Sequence, residues 1–174
     1  NKTSGMATTC YEYLKNYKKQ NPILISSCDY SVIFDEKKLE KIIKIFDPDV
    51  MVWTFKNYPD ARISPFAYAY CEIKDGKIYK ISEKTPISST PNLDHIAQGI
   101  FYFKTKNIFM RAFKKMIKKK NKINNEYYVG NSINELIKDN DNVIPFEVKQ
   151  YICLGTIKDL NVYNFWTNFF NDKV

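Results

Sequence analysis

Pro22-Ile23-Leu24-Ile25-Ser26-Ser27-Cys28-Asp29 is an apolar run that narrows through three small residues to one carboxylate. Such a run, bounded by turn residues, reads as a buried parallel strand. The carboxyl end of such a strand is where open α/β sheets bind ligands, and an Asp there is placed to hold a divalent metal between phosphate groups. The same Asp29 also reads as a turn residue or helix N-cap. Five further patterns carry potential chemistry. Thr3-Ser4-Gly5-Met6-Ala7 is a small-residue turn at a helix start, a backbone that a flat ligand can approach closely. Ser82-Glu83-Lys84-Thr85-Pro86 sets a carboxylate beside a lysine, either an anion-handling pair or an exposed hairpin end. Ala97-Gln98-Gly99-Ile100-Phe101-Tyr102-Phe103 begins a strand with a glycine, which marks close packing or close approach of a ligand. Asn124-Asn125-Glu126-Tyr127-Tyr128 and Leu154-Gly155-Thr156-Ile157-Lys158-Asp159-Leu160 follow a basic helix and the last strand.

These residues need elements to position them. Thr8 to Lys19 reads as a helix with Tyr11, Leu14 and Tyr17 on one side, and Ile23 to Ser27 as a strand. A second helix opens at Asp35, a plausible N-cap, presents Leu39, Ile42, Ile43 and Phe46, and stops at Asp47-Pro48. Val50 to Phe55 is a strong strand. Phe66 to Ile73 and Lys77 to Ser82 flank Lys74-Asp75-Gly76, an Asp-Gly hairpin signal. A loop rich in Pro and Ser then leads to the strand Gly99 to Phe103. Ile133 to Asp139 is helical, Val143 to Val148 a strand, and Ile157 to Phe170 a final helix with Tyr163, Trp166 and Phe169 or Phe170 on an aromatic face. Alternating strands and helices give an α/β fold, and the hairpin makes its sheet mixed rather than purely parallel.

Composition narrows the classes. The 174 residues suit one ordinary domain, and 44% hydrophobic with 26% charged residues is the balance of a soluble globular protein. No apolar run reaches the length of a membrane span and no signal peptide is visible, so membrane insertion is not expected. Cys10, Cys28, Cys71 and Cys153 lie far apart with a single histidine, His95. That argues against a zinc site and a disulfide framework and points to a reducing cytoplasm. Much of the +8 net charge sits in Lys114, Lys115, Lys118, Lys119, Lys120 and Lys122. Ile108, Phe109, Ala112, Phe113, Met116 and Ile117 interleave with them at helical spacing, so the lysines read as the solvated face of an amphipathic helix rather than a nucleic-acid footprint.

In order and spacing, these motifs resemble the sugar-phosphate nucleotidyltransferases, the nucleotide-sugar pyrophosphorylases that join a nucleoside triphosphate to a sugar 1-phosphate. The resemblance runs from Thr3-Ser4-Gly5 to Phe165-Trp166. It implies a Rossmann-like α/β domain of GT-A type, a mixed sheet flanked by helices, of which residues 1–174 form the central and C-terminal part. By this resemblance Ser4, Gly5 and Met6 cup the nucleobase, Asp29 holds Mg²⁺, and Lys84 lies on the sugar phosphate. Glu83, in the Glu-Lys-Pro element, and Gly99, the glycine of the following strand, bind substrate, as does Gly155 of the late turn, and Glu126 accepts sugar hydroxyls. The implied partners are a nucleoside triphosphate and a phosphorylated sugar or alcohol, in a cytoplasmic enzyme of surface-polysaccharide synthesis that acts without nucleic acid and is open to forming a homo-oligomer.

The sequence departs from the family in three places. Thr85 intervenes before the proline of the Glu-Lys-Pro element. Cys153 stands where better-known members carry a second metal-binding aspartate, and a thiol is a poor Mg²⁺ ligand, which leaves one carboxylate with phosphate oxygens or substitution by Glu147. The glycine-rich loop that cradles the triphosphate in the family has no match here, so Asn1 is expected to start partway through the domain, and this chain alone to catalyse weakly. Two other classes stay open: a GT-A type glycosyltransferase, which normally shows Asp-x-Asp where this chain has Asp29-Tyr30-Ser31, and a non-catalytic basic binding module.

Overall fold

The computed structural model describes residues 3–171. In chain order the elements are α1 (Met6–Leu14), β1 (Ile23–Ser26), β2 (Tyr30–Ile33), α2 (Glu36–Phe46), β3 (Val50–Phe55), α3 (Asp60–Ile63), β4 (Ala69–Lys74), β5 (Lys77–Glu83) and β6 (His95–Phe103). They are followed by α4 (Lys106–Lys118), α5 (Val129–Ile137), β7 (Val143–Glu147), β8 (Gln150–Cys153) and α6 (Ile157–Asn171).

The main sheet runs β5-β4-β6-β3-β7, with β1 also paired to β6. Only β3 and β7 are parallel; the other pairs are antiparallel, which gives the expected mixed sheet flanked by helices. β3 (Val-Met-Val-Trp-Thr-Phe) is buried along its whole length, because neighbours pair with both its edges and helices or loops cover both its faces. On one face Val50, Val52 and Phe103 join Phe109, Phe113 and Met116 of α4 and Ile133 and Leu136 of α5. On the other, Met51, Trp53 and Phe146 join Leu39, Ile42 and Ile43 of α2. Each large apolar side chain so withdrawn from water contributes roughly 1.5–3 kcal/mol. The β4–β5 hairpin turns through Asp75 and Gly76, both at positive φ (50° and 74°), the backbone that an Asp-Gly two-residue turn supplies.

The second helix begins as expected: the Asp35 carboxylate accepts a hydrogen bond from the Lys38 N–H at 3.1 Å, and Asp47 ends it in the left-handed region. The lysines of α4 differ from a merely solvated face. Arg111 pairs with Asp141, Lys115 with Asp139, and Lys119 with the buried Glu135, so these cations fasten α4 to the α5 region. No helix among the described residues is long and apolar enough to cross a membrane.

The opening strand corrects the expectation of a buried parallel strand. β1 is antiparallel to β6, and of its residues only Ile25 is buried; Leu24 is 62% exposed. A run of three apolar residues satisfies an edge strand as well as a central one, and composition alone does not set its direction. Asp29 accordingly lies in the turn between β1 and β2 rather than at a strand end. β2 and β8, which form a separate two-stranded sheet, were not expected; both are only four residues long. β6 starts at His95 and α5 at Val129, each four residues ahead of the periodicity that announced it.

Candidate active site

The sheet itself makes the notch in which the candidate residues gather. β4 and β1 pair with the same edge of β6, end to end: Ala69 reaches Ala97, and Ser26 reaches Ile100. Gln98 and Gly99 lie between these two registers and pair with neither strand. On the opposite edge the β3 register slips between Val52 and Thr54, a bulge at the same level. A cavity of about 350 Å³ opens over this break and is lined by Met6, Asp29, Glu83, Lys84, Gly99 and Glu126, six of the residues picked out in the sequence. Tyr30, Tyr68, Tyr128, Tyr151 and Gln98 complete much of its wall.

Gly99 sits at φ +81°, and a Cβ there would stand 3.0 Å from the Ser27 hydroxyl oxygen and 3.3 Å from the Tyr30 hydroxyl. The Ser27 N–H donates to the Gly99 carbonyl at 3.2 Å, which pins the β1–β2 turn to the break. Asp29 is exposed on that turn, and its carbonyl accepts from the Leu154 N–H at 2.9 Å. Gly155 presents bare backbone to Asp29: an added Cβ would lie 3.3 Å from the Asp29 carboxylate. The late turn and the Asp29 turn are thus zipped together, an arrangement set by Tyr30 opposite Cys153 in the β2–β8 pair.

Glu83 and Lys84 end β5 in opposite surroundings. Glu83 is buried, and burial pushes its carboxyl up to about 7, against the Lys84 charge and a hydrogen bond from the Gly130 N–H, both of which pull it down. Space for it exists because residue 130 is glycine; a Cβ there would fall 2.2 Å from the Glu83 carboxylate oxygen. Lys84, at φ +57°, donates to the Ala67 carbonyl and lies 5.9 Å from the centre of the Tyr128 ring, so its ammonium is held at the cavity rather than waving in solvent. Glu126 is exposed at the rim; burial, reinforced by the Glu126 carboxylate, pushes the Tyr128 hydroxyl up to about 12. The reading of Glu83-Lys84 as an exposed hairpin end therefore does not hold for Glu83.

Ser4 and Gly5 stand behind the wall. The Ser4 carbonyl accepts from the Tyr127 N–H at 2.8 Å, and a Cβ on Gly5 would lie 2.8 Å from both the N and O of Tyr127. Gly5 at φ +106° is thus required by contact with the chain's own backbone. Met6, the next residue, does reach the cavity, with its sulfur 3.7 Å from the Ser27 hydroxyl. Glu147 lies elsewhere: it pairs with Lys56 at 3.5 Å and lines a different cleft, so it does not replace a second metal-binding aspartate. Cys153 donates to the Asp159 carboxylate at 3.4 Å, and Thr156 donates to the same carboxylate at 2.6 Å. Among the described residues no three His, Cys, Asp or Glu side chains converge as a metal-binding group, although the cavity that Asp29 lines is also lined by Glu83 and Glu126. One carboxylate completed by phosphate oxygens and water is a normal Mg²⁺ environment, and the residues fit that ion on those terms. Sequence reasoning missed Gly130 and Tyr128 as site residues. Their signal is three-dimensional, since α5 brings them against the end of β5.

Neither a protein-family model nor a curated protein sequence matches the chain. Solved structures do match in fold. A nucleoside-diphosphate-sugar pyrophosphorylase from Vibrio cholerae superposes with a TM-score of 0.73 at 18% identity, over 94% of this chain and 66% of that one. A UDP-glucose pyrophosphorylase in its apo form gives a TM-score of 0.70 at 15% identity, over 100% of this chain and 63% of that one. An inositol-1-phosphate CTP transferase from T. maritima gives a TM-score of 0.66 at 14% identity, over 94% of this chain and 62% of that one. The chain therefore spans just under two thirds of the length of each. By fold, it stands with the nucleotide-sugar pyrophosphorylases and sugar-1-phosphate nucleotidyltransferases.

Proposed function

We propose that the cavity at the β6 break is the acceptor site of a nucleotidyltransferase, which condenses a nucleoside triphosphate with a sugar 1-phosphate or similar phosphorylated acceptor and releases pyrophosphate. The observation that carries this reading is the convergence of Asp29, Glu83, Lys84, Gly99 and Glu126 on one cavity of a nucleotidyltransferase fold. An acceptor phosphate oxygen attacks the α-phosphorus in line, its bond to phosphorus forming as the bond to the pyrophosphate oxygen breaks. No protein nucleophile is needed, so positioning and charge neutralisation do the work.

Lys84 has three N–H donors, one of them committed to the Ala67 carbonyl, and the others are available to hold and aim the attacking phosphate. Glu126 at the rim and Glu83 in the wall accept hydrogen bonds from acceptor hydroxyls. Glu83 does so best once ionised, and a bound cation or the Lys84 ammonium favours that form. The exposed Asp29 is the residue that would hold Mg²⁺, and the ion, when bound, would neutralise charge on the α-phosphate. Gly99 lets the Ser27 and Tyr30 hydroxyls close against the backbone at the cavity wall.

Pyrophosphate release is the test, measured with Mg²⁺, a mixture of CTP, UTP, dTTP and GTP, and a panel of sugar 1-phosphates. Whatever rate the chain supports should fall by about a hundredfold or more in Asp29→Asn, the scale expected when one preorganised electrostatic group is removed. Binding of the active sugar phosphate, measured by calorimetry, should weaken at least about tenfold in Lys84→Ala, the cost of one charge-assisted hydrogen bond. A chain that binds no phosphorylated acceptor and releases no pyrophosphate overturns the reading.

A further inference from the structure

Gln98 is 5% exposed, lines the cavity, and has no hydrogen-bond partner at either polar atom of its side-chain amide. Buried amides are normally satisfied, because leaving one orphaned costs the desolvation of both its donor and its acceptor. Gln98 lies where β6 pairs with neither β1 nor β4, and its chain neighbours Ala97 and Gly99 bring no polar side chain to it. A leucine or methionine would suit such a position better if packing were its only task.

We infer that the Gln98 amide is a specificity-determining contact, reading a hydroxyl group of the phosphorylated acceptor; this rests on the function proposed above. A carboxamide donates and accepts at once, and so does a sugar hydroxyl, so one hydroxyl or a neighbouring pair satisfies both atoms. A phosphate oxygen only accepts and would leave the amide oxygen orphaned. The position fits as well, since Gln98 adjoins Gly99 and shares the cavity with Glu83 and Lys84. The ligand-free chain thus carries an unmet polar group that the acceptor completes, and sugars lacking the matching hydroxyl leave it unmet. That is how a site built for a hydroxyl rejects the analogue without it.

The experiment compares Gln98→Leu and Gln98→Met with the parent chain by calorimetry and thermal unfolding. The probes are glucose 1-phosphate, mannose 1-phosphate, galactose 1-phosphate and myo-inositol 1-phosphate, with inorganic phosphate and UTP as controls. Both variants should unfold a few degrees higher without ligand, because an orphaned polar group has gone. Both should bind the preferred sugar phosphate at least about tenfold more weakly, with binding of inorganic phosphate and UTP unchanged. A deoxy analogue of that sugar phosphate should then distinguish the parent from the variants no longer. Undiminished sugar-phosphate affinity, a loss that falls on UTP instead, or variants less stable than the parent each overturn the assignment of Gln98 and leave the proposed function standing. A parent chain that binds none of the four sugar phosphates overturns both.

Discussion

Glu83→Gln isolates the cost of holding a carboxylate inside the cavity wall. The carboxyl is buried, and its pKa rises from 4.5 to about 7 on folding. The folded state therefore binds more protons than the unfolded state between these values, so stability falls as pH rises through them. Below the unfolded pKa the side chain is neutral in both states and Glu83 behaves like glutamine. Above the folded pKa the penalty is complete, and at 1.36 kcal/mol per unit it amounts to about 3 kcal/mol. Glutamine keeps the length and can still accept from the Gly130 N–H, but carries no charge. Its advantage over the parent should be near zero at pH 4, grow between pH 5 and 7, and level off above pH 8, where a protein of this size should gain roughly 6–12 °C in Tm. Urea denaturation and thermal scans of both proteins across pH 4–9 provide the measurement. A difference that stays flat with pH, or a parent that gains on the variant as pH rises, would refute a buried carboxylate desolvated by its surroundings.

Gly130→Ala should destabilise by about 1–3 kcal/mol in denaturant melts, because the overlap with Glu83 and Ile81 outweighs the roughly 0.5–1 kcal/mol that alanine normally gains in a helix. Pairing it with Glu83→Ala should recover most of that loss, and a double variant no better than the single would dismiss the clash. At Glu135, whose side chain is 1% exposed and accepts from Lys119 and Lys138, the two halves of the ion pair should not be equivalent. Removing both exposed lysines strands a buried carboxylate and should cost about 3 kcal/mol or more, whereas Glu135→Gln lets the lysines hydrate and should cost less. Equal losses in chemical denaturation would contradict that asymmetry.

Much of the candidate cavity's lining was legible in the chain because those residues sit where local pattern is strong. Asp29 follows an apolar run, Glu83-Lys84 ends a hairpin with an Asp-Gly turn, and Gly99 interrupts an aromatic strand, so each drew notice before its neighbours were known. The direction and burial of β1 were not legible, since three apolar residues fit an edge or a centre equally. The close approach of Gly5 to the Tyr127 backbone was not legible either, since it joins residues far apart in the chain. The burial of Glu83 depends on Gly130 in the same way. Gln98 carried no signal in the sequence, because a glutamine within a strand reads as a solvent-facing residue until its register against two different partners is seen.

The place of β6 in the sheet also orders events during synthesis. β1, β3 and β4 all take their antiparallel partner from it, and β6 ends at Phe103. Until that residue has left the ribosome, the β4–β5 hairpin is the sheet pairing that the described strands can make among themselves, and β1 and β3 lack the β6 edge they share. Pairings across such sequence separations form late and leave strands exposed meanwhile. Nascent chains arrested before residue 104 should therefore be chaperone clients, and those extended past α5 and β7, where both core layers close, should be released.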